Sequence, residues 1–218
     1  MSENPVGKDR RKYQRVLFEA SPQSFSVALE GYGESVVFDM SYSGAALGQP
    51  EGKKVEAVGE SLKLRLVTDS EEAEVDALII RATEKVIACE FSDISSTARV
   101  IIDRLVTDRI IGLNMQLIDP THYSPQSDFT HWFHGPKETN LFLWEENGKL
   151  LRAQFDLNQS VLIYEEESFF FENKDINRGT DPLNNQQVIL KAESIIAQMN
   201  SDIKVFQEFK KVILEQIG

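Results

Sequence analysis

Residues 38–47 read FDMSYSGAAL, and the first four of them close the run ESVVFDMS (34–41). Asp39, Ser41 and Gly44 stand at the spacing D-x-S-x-x-G, and all three are common turn residues, so the stretch reads as a strand running into a turn. Val37, Met40 and Leu47 are read as facing a core. Gly44 has a backbone task, a turn or a close approach that a Cβ would obstruct. Asp, Ser and Gly fill turns in many proteins, so the flanking sequence must decide what this turn belongs to.

On either side the pattern is short β-runs broken by turn residues. SFSVALE (24–30) places Phe25, Val27 and Leu29 on one face, and SLKLRLV (61–67) does the same with Leu62, Leu64 and Leu66. EVDALIIRA (74–82) and KVIACEF (85–91) continue the series. Five or six such strands predict a small antiparallel barrel or sandwich. The period changes at Ser95. SSTARVIIDRLVTDRIIGL (95–113) sets Val100, Ile101, Leu105 and Ile111 at helical spacing, with Ser95 and Ser96 as N-cap candidates. Arg99, Asp103, Arg104 and Asp108 fit its solvated face. One helix therefore closes a first domain over residues 1–117.

IDPTHYSPQSD (118–128) has two prolines and no periodicity, and it reads as a linker. Residues 129–218 are read as a small second domain. Within it TNLFLWEENGKLLRAQFD (139–156) predicts a hairpin around Asn147-Gly148, and SVLIYEEESFFFEN (160–173) adds one or two strands beside a solvated acidic turn. Trp132, Phe133, Phe142 and Trp144 are read as its core. A long amphipathic helix is expected from near Leu183 to Ile217. Its seam of Ile189, Ala192, Ile196, Met199, Ile203, Phe206, Lys210, Ile213 and Ile217 runs in steps of three and four, broken only by Lys210. Such a stripe could both cover its own sheet and meet a partner helix in a homodimer. The expected fold class is α+β: an N-terminal antiparallel β-barrel with a closing helix, then an α+β domain with a long C-terminal helix.

Composition narrows the function. The 218 residues are 41% hydrophobic and 27% charged, ordinary for a soluble globular chain. No apolar run approaches the ~20 residues of a membrane span, and MSENPVGKDRRKYQ lacks the apolar centre of a signal peptide. Cys89 is the single cysteine, so no internal disulfide can form; in its apolar strand it reads as a buried, inert thiol, and a cytoplasmic compartment is expected. A net charge of −12 argues against DNA as a partner over a broad surface. It does not exclude a small anion, because exposed charges are screened beyond ~8 Å at physiological salt. KDRRKYQRVLF (8–18) gathers Lys8, Arg10, Arg11, Lys12 and Arg15 against the lone carboxylate of Asp9.

Arg11 and Arg15 form R-x-x-x-R, about twenty-five residues before D-x-S-x-x-G. Two arginines four apart mean little alone. The two motifs together, followed by this strand pattern and a closing helix, resemble the PilZ domain family over residues 8–115, and the sequence departs from neither motif. The resemblance implies a bacterial second-messenger receptor that binds cyclic di-GMP and relays the signal by conformational change. Arg11 and Arg15 are then the guanidinium groups for phosphate oxygens and guanine faces. Arg10, just before the motif, is the residue type associated with holding a stacked pair of ligands. Asp39 and Ser41 would hydrogen-bond a guanine edge, and Gly44 would shape the turn.

Two other classes are weighed against this. A PilZ-like adaptor would bind no nucleotide and act through protein contacts, but the intact motifs favour the receptor. An enzyme would need its activity in residues 119–218, where there is no Gly-rich phosphate loop, nucleophile elbow or zincin pattern. No catalytic residue and no cofactor are expected. His131 and His134 are three apart in HWFHG (131–135), but no cysteine lies nearby, and no metal site is expected.

Overall fold

The computed structural model describes residues 13–18, 25–52, 54–55, 58–68, 71–123, 127–158, 160–173 and 184–215. The described residues form two compact units, divided between Val106 and Thr107. The described residues are mostly β with three α-helices, none of them long and apolar enough to cross a membrane.

The first unit contains β1 (Val16–Leu17), β2 (Phe25–Leu29), β3 (Gly33–Ser35), β4 (Val37–Ser41), β5 (Gly44–Gly48), β6 (Ser61–Thr68), β7 (Glu72–Ala82) and β8 (Val86–Ile94). They make one antiparallel sheet in the order β1-β4-β5-β8-β7-β6-β2-β3. Only Val36 separates β3 from β4, yet these strands stand six places apart in that order. Six intervals of about 4.8 Å far exceed the ~3.5 Å reach of one residue. The sheet must therefore curl until its ends approach, as a half-barrel. The Val36 carbonyl accepts from Gly48 N at 2.7 Å, and Ser35 Oγ donates to the Gly48 carbonyl at 2.6 Å, fixing that approach. Inside lie Val16, Val27, Met40, Leu47, Leu64, Leu66, Ile87 and Cys89, and Val37 joins them as expected.

α1 (Ser96–Leu113) follows β8. Ser95 is its N-cap, with Oγ accepting from Ala98 N at 3.1 Å. Its buried stripe is Ala98, Ile101, Ile102, Leu105 and Val106, whereas Val100, read from spacing as apolar-facing, is 58% exposed. Gly112 lies where α1 meets the last part of the chain: a Cβ there would sit 2.0 Å from the Ile195 carbonyl oxygen.

The second unit holds β9 (Gln116–Leu117), β10 (His131–Gly135), β11 (Thr139–Glu146), β12 (Lys149–Leu157), β13 (Ser160–Glu165) and β14 (Ser168–Asn173), joined in sequence order as an antiparallel meander. The segment read as a linker is structured where it is described. β9 pairs with β10, Pro120–His122 form a 3-10 turn capped by Asp119, and Ile118 N donates to the Trp132 carbonyl. The β11–β12 hairpin turns at Asn147-Gly148, both in the left-handed region with φ of 53° and 75°.

The expected long helix is two helices, α2 (Asn185–Gln198) and α3 (Lys204–Glu215). Its expected ends, Leu183 and Ile217, lie outside the described residues. Met199 is extended, with φ −70° and ψ 137°. Asn200, Ser201 and Asp202 follow, residues whose short polar side chains compete with helical hydrogen bonds. Ser201 Oγ accepts from Ile203 N at 3.3 Å. The apolar repeat persists across the break because both helices lie on one sheet. Val188, Ala192, Ile195, Ile196, Phe206, Phe209 and Ile213 pack with Phe133, Leu141, Leu143, Phe155 and Leu162 in a single core. The apolar stripe thus covers its own sheet. Lys210, the one residue that breaks the seam, donates from Nζ to the carbonyls of Ala197 and Met199 at 3.0 and 3.3 Å, capping the α2 C-terminus.

The aromatic assignment is corrected in part. Phe133 is core, but strand alternation sends Trp132, Phe142 and Trp144 to the opposite face. There they form a half-buried cluster with Tyr123 and Phe129.

Candidate functional site

The two short motifs meet on the outside of the curled sheet. β1 pairs with β4 through Val16↔Met40 and Leu17↔Asp39. Val16 and Met40 point into the core, so Arg15, Leu17 and Asp39 take the outer face. There Arg15 Nη1 donates to Asp39 Oδ1 in a charge-assisted hydrogen bond. Twenty-four positions in the chain separate these residues, and the strand pairing brings them together.

Asp39 owes its orientation to a β-bulge. The β4–β5 register shifts between Val37 and Asp39, so that Phe38 and Asp39 both lie against Ala46. Unbroken alternation from buried Val37 would have aimed the carboxylate inward. The bulge avoids burying an unpaired charge, and it returns Met40 to the core.

Ser41 and Gly44 build the turn. They pair across β4 and β5 and leave Tyr42 and Ser43 at its tip. Ser41 is buried, and its hydroxyl works inside the turn: it donates to the Gly44 carbonyl at 3.3 Å and accepts from Ser43 N at 3.3 Å. These bonds make Ser41 a shaper of the hairpin. Gly44 is required by close approach, because a Cβ would lie 2.3 Å from the Cys89 carbonyl oxygen and 3.3 Å from Glu90 Cα. Tyr13, inside R-x-x-x-R, meets Tyr42 edge-to-face at 6.0 Å between centroids. This contact joins the two motifs a second time, and the sequence pattern assigns Tyr42 no role. Arg10 and Arg11 lie outside the described residues.

The remaining candidates have structural tasks. Cys89 is fully buried on β8 beside β5, its thiol donates to the Ala45 carbonyl at 3.6 Å, and burial pushes its pKa up to about 11. His131 and His134 face opposite sides of β10, the first bonded to Glu145 and the second to Asn140. A spacing of three suits a shared ligand on a helix and separates the side chains on a strand. Among the described residues no group of three or more His, Cys, Asp or Glu could hold a metal ion.

The PilZ domain family model matches residues 9–108, which include both motifs and the whole curled sheet. Residues 9–108 are a PilZ domain. PilZ domains are a family of cyclic di-GMP receptors. No curated protein matches the chain. Among solved structures, the Bacillus subtilis inhibitor of motility MotI/DgrA is 20% identical with a TM-score of 0.36, over 47% of this chain and 51% of that one, so about half of the Bacillus protein is spanned. The PilZ domain of CeSA from a cellulose-synthesizing bacterium is 24% identical with a TM-score of 0.32, over 43% of this chain and 95% of that domain. PlzA of Borreliella burgdorferi, solved in complex with c-di-GMP, is 12% identical with a TM-score of 0.33, over 72% and 79% of the two chains.

Proposed function

We propose that this protein is a cyclic di-GMP receptor, with the ligand on the outer face of its PilZ domain. The observation that carries the reading is the Leu17↔Asp39 register, which sets Arg15 of the first motif against Asp39 of the second. Guanine presents N1–H and an exocyclic amine as donors and O6 and N7 as acceptors. Asp39 accepts from the donor edge. Arg15 donates to O6 and N7 or to a phosphate oxygen, and its flat guanidinium also stacks on a purine. Arg11 and Arg10, four and five positions earlier, neutralise the phosphodiesters, and with an arginine at position 10 two stacked ligands per protomer are expected. Ser41 and Gly44 hold the turn that presents Asp39.

Arg15 and Asp39 satisfy each other across β1 and β4. Cyclic di-GMP offers both groups better-matched partners at once, and the exchange draws the arginine segment over the sheet. That movement of the segment is the relayed signal. Calorimetric titration of the full chain tests the reading. Micromolar or tighter binding is expected, and Arg15→Ala or Asp39→Ala should weaken it more than tenfold, about 1.4 kcal/mol or more. Wild-type protein that gives neither heat nor a thermal shift at high ligand concentration overturns the receptor assignment.

A further inference from the structure

The outer face beyond Asp39 carries a second pair of complementary charges. β5 and β8 form its floor, and their outward residues are small: Gly44 and Ala46 on β5, and Ala88 opposite Ala46. β7 is the far wall. Its register against β8 shifts between Ile79 and Arg81, so Ile80 and Arg81 both face outward against Ala88. This repeats on β7 what the bulge at Phe38 and Asp39 does on β4. Two bulges therefore flank the same two alanines, and each presents one apolar and one charged side chain.

Glu90 lies on β8 opposite Gly44, and the burial of Cys89 and Phe91 on either side turns it outward. It is the diagonal cross-strand neighbour of Arg81, within about 7–8 Å along the backbone. Long side chains at that separation can reach one small group. Among the described residues neither makes a side-chain hydrogen bond or ion pair. Asp39 and Glu90 are two strand intervals across and two residues along from one another, about 12 Å over the small-residue floor.

We propose that Arg81 and Glu90 form a second guanine-reading pair on this face, resting on the receptor assignment above. A carboxylate beside a guanidinium complements guanine, since one accepts from N1–H and the amine while the other donates to O6 and N7. Adenine inverts part of that pattern, with an acceptor at N1 and an amine at C6. Cyclic di-GMP carries two identical guanines, and Arg15–Asp39 accounts for one. Leu78 and Ile80, 38% and 47% exposed on the same wall, give apolar contact to the second purine.

The test is titration of wild-type, Arg15→Ala, Arg81→Ala, Arg81→Lys and Glu90→Gln full-length protein with cyclic di-GMP and, in parallel, cyclic di-AMP. Arg81→Ala should weaken cyclic di-GMP at least tenfold. Arg81→Lys should recover only part of that loss, because an ammonium is a point charge without the planar fork. Glu90→Gln should cut the preference for cyclic di-GMP over cyclic di-AMP about tenfold. Wild-type affinity and preference in the Arg81 and Glu90 variants, with binding lost in Arg15→Ala, would remove the second pair and leave the receptor assignment standing. No binding by the wild type would remove both. Thermal midpoints within about 2 °C of wild type identify folded variants, as expected for exposed surface substitutions.

Discussion

Two glycines in one five-residue strand should respond oppositely to the same substitution. In Gly44→Ala the new methyl meets the Cys89 carbonyl oxygen at 2.3 Å, about 1 Å inside ordinary contact. The clashing atom is backbone, held in a ladder that pairs Gly44 with Glu90 and Ala45 with Cys89, so no rotamer change relieves it. β5 must move away from β8. Overpacking of this kind costs about 1–3 kcal/mol, and the rigid partner puts Gly44 at the upper end. In Gly48→Ala the methyl finds the Phe38 ring at 3.6 Å and the Val36 carbonyl oxygen at 3.7 Å, both comfortable. Its backbone is not left-handed, so alanine there mainly restricts the unfolded chain and stabilises by about 0.4–1 kcal/mol. For a domain of about 100 residues, 1 kcal/mol moves Tm by roughly 4–8 °C. Differential scanning calorimetry should then place Gly44→Ala about 10–20 °C below wild type and Gly48→Ala a few degrees above it. Equal shifts in the two variants, or an unchanged midpoint for Gly44→Ala, would show that the β5–β8 approach is looser than the structure has it.

Lys210→Leu would complete the apolar seam, yet it removes the cap on the Ala197 and Met199 carbonyls; chemical denaturation should show a loss of about 1–2 kcal/mol, and a gain would favour a continuous helix. Cys89 should make stability fall with pH in the alkaline range. Its folded pKa of about 11 exceeds the ordinary 9.0, so between those values the unfolded thiol has lost its proton while the folded one keeps it, and stability declines by up to about 3 kcal/mol from pH 9 to 11. Urea unfolding at pH 8 and pH 10.5 should show this component in wild type and not in Cys89→Ala.

The strands of the PilZ domain are legible because one face of each is buried, which writes a period of two into the sequence. The motif residues are legible by their spacing. The bulge at Phe38 and Asp39 also leaves a trace: Val37 and Met40 both read as core, yet three positions separate them, which strict alternation forbids. The second bulge, between Ile79 and Arg81, sits in an apolar run without such a marker.

The helical region shows the limit from the other side. Steps of three and four over Ile189–Ile217 record which side chains are buried, and two short helices on one sheet bury the same positions as one long helix would. The break at Met199 depends on three short polar residues and on a lysine thirteen positions after Ala197, and local propensity does not reveal that contact. Aromatic residues on β10 and β11 likewise read as one core, because hydrophobicity does not say which face of a sheet the helices cover.

By itself the sequence determined the β architecture of the first unit, the two motifs and the need for glycine at position 44, since these rest on local periodicity and residue chemistry. Tertiary structure alone decided that Arg15 meets Asp39, that Ser41 turns its hydroxyl into the hairpin, and that Arg81 and Glu90 share the outer face with them. Those relations are set by register between strands far apart in the chain. A shift of one residue, or one bulge, reverses every side chain beyond it.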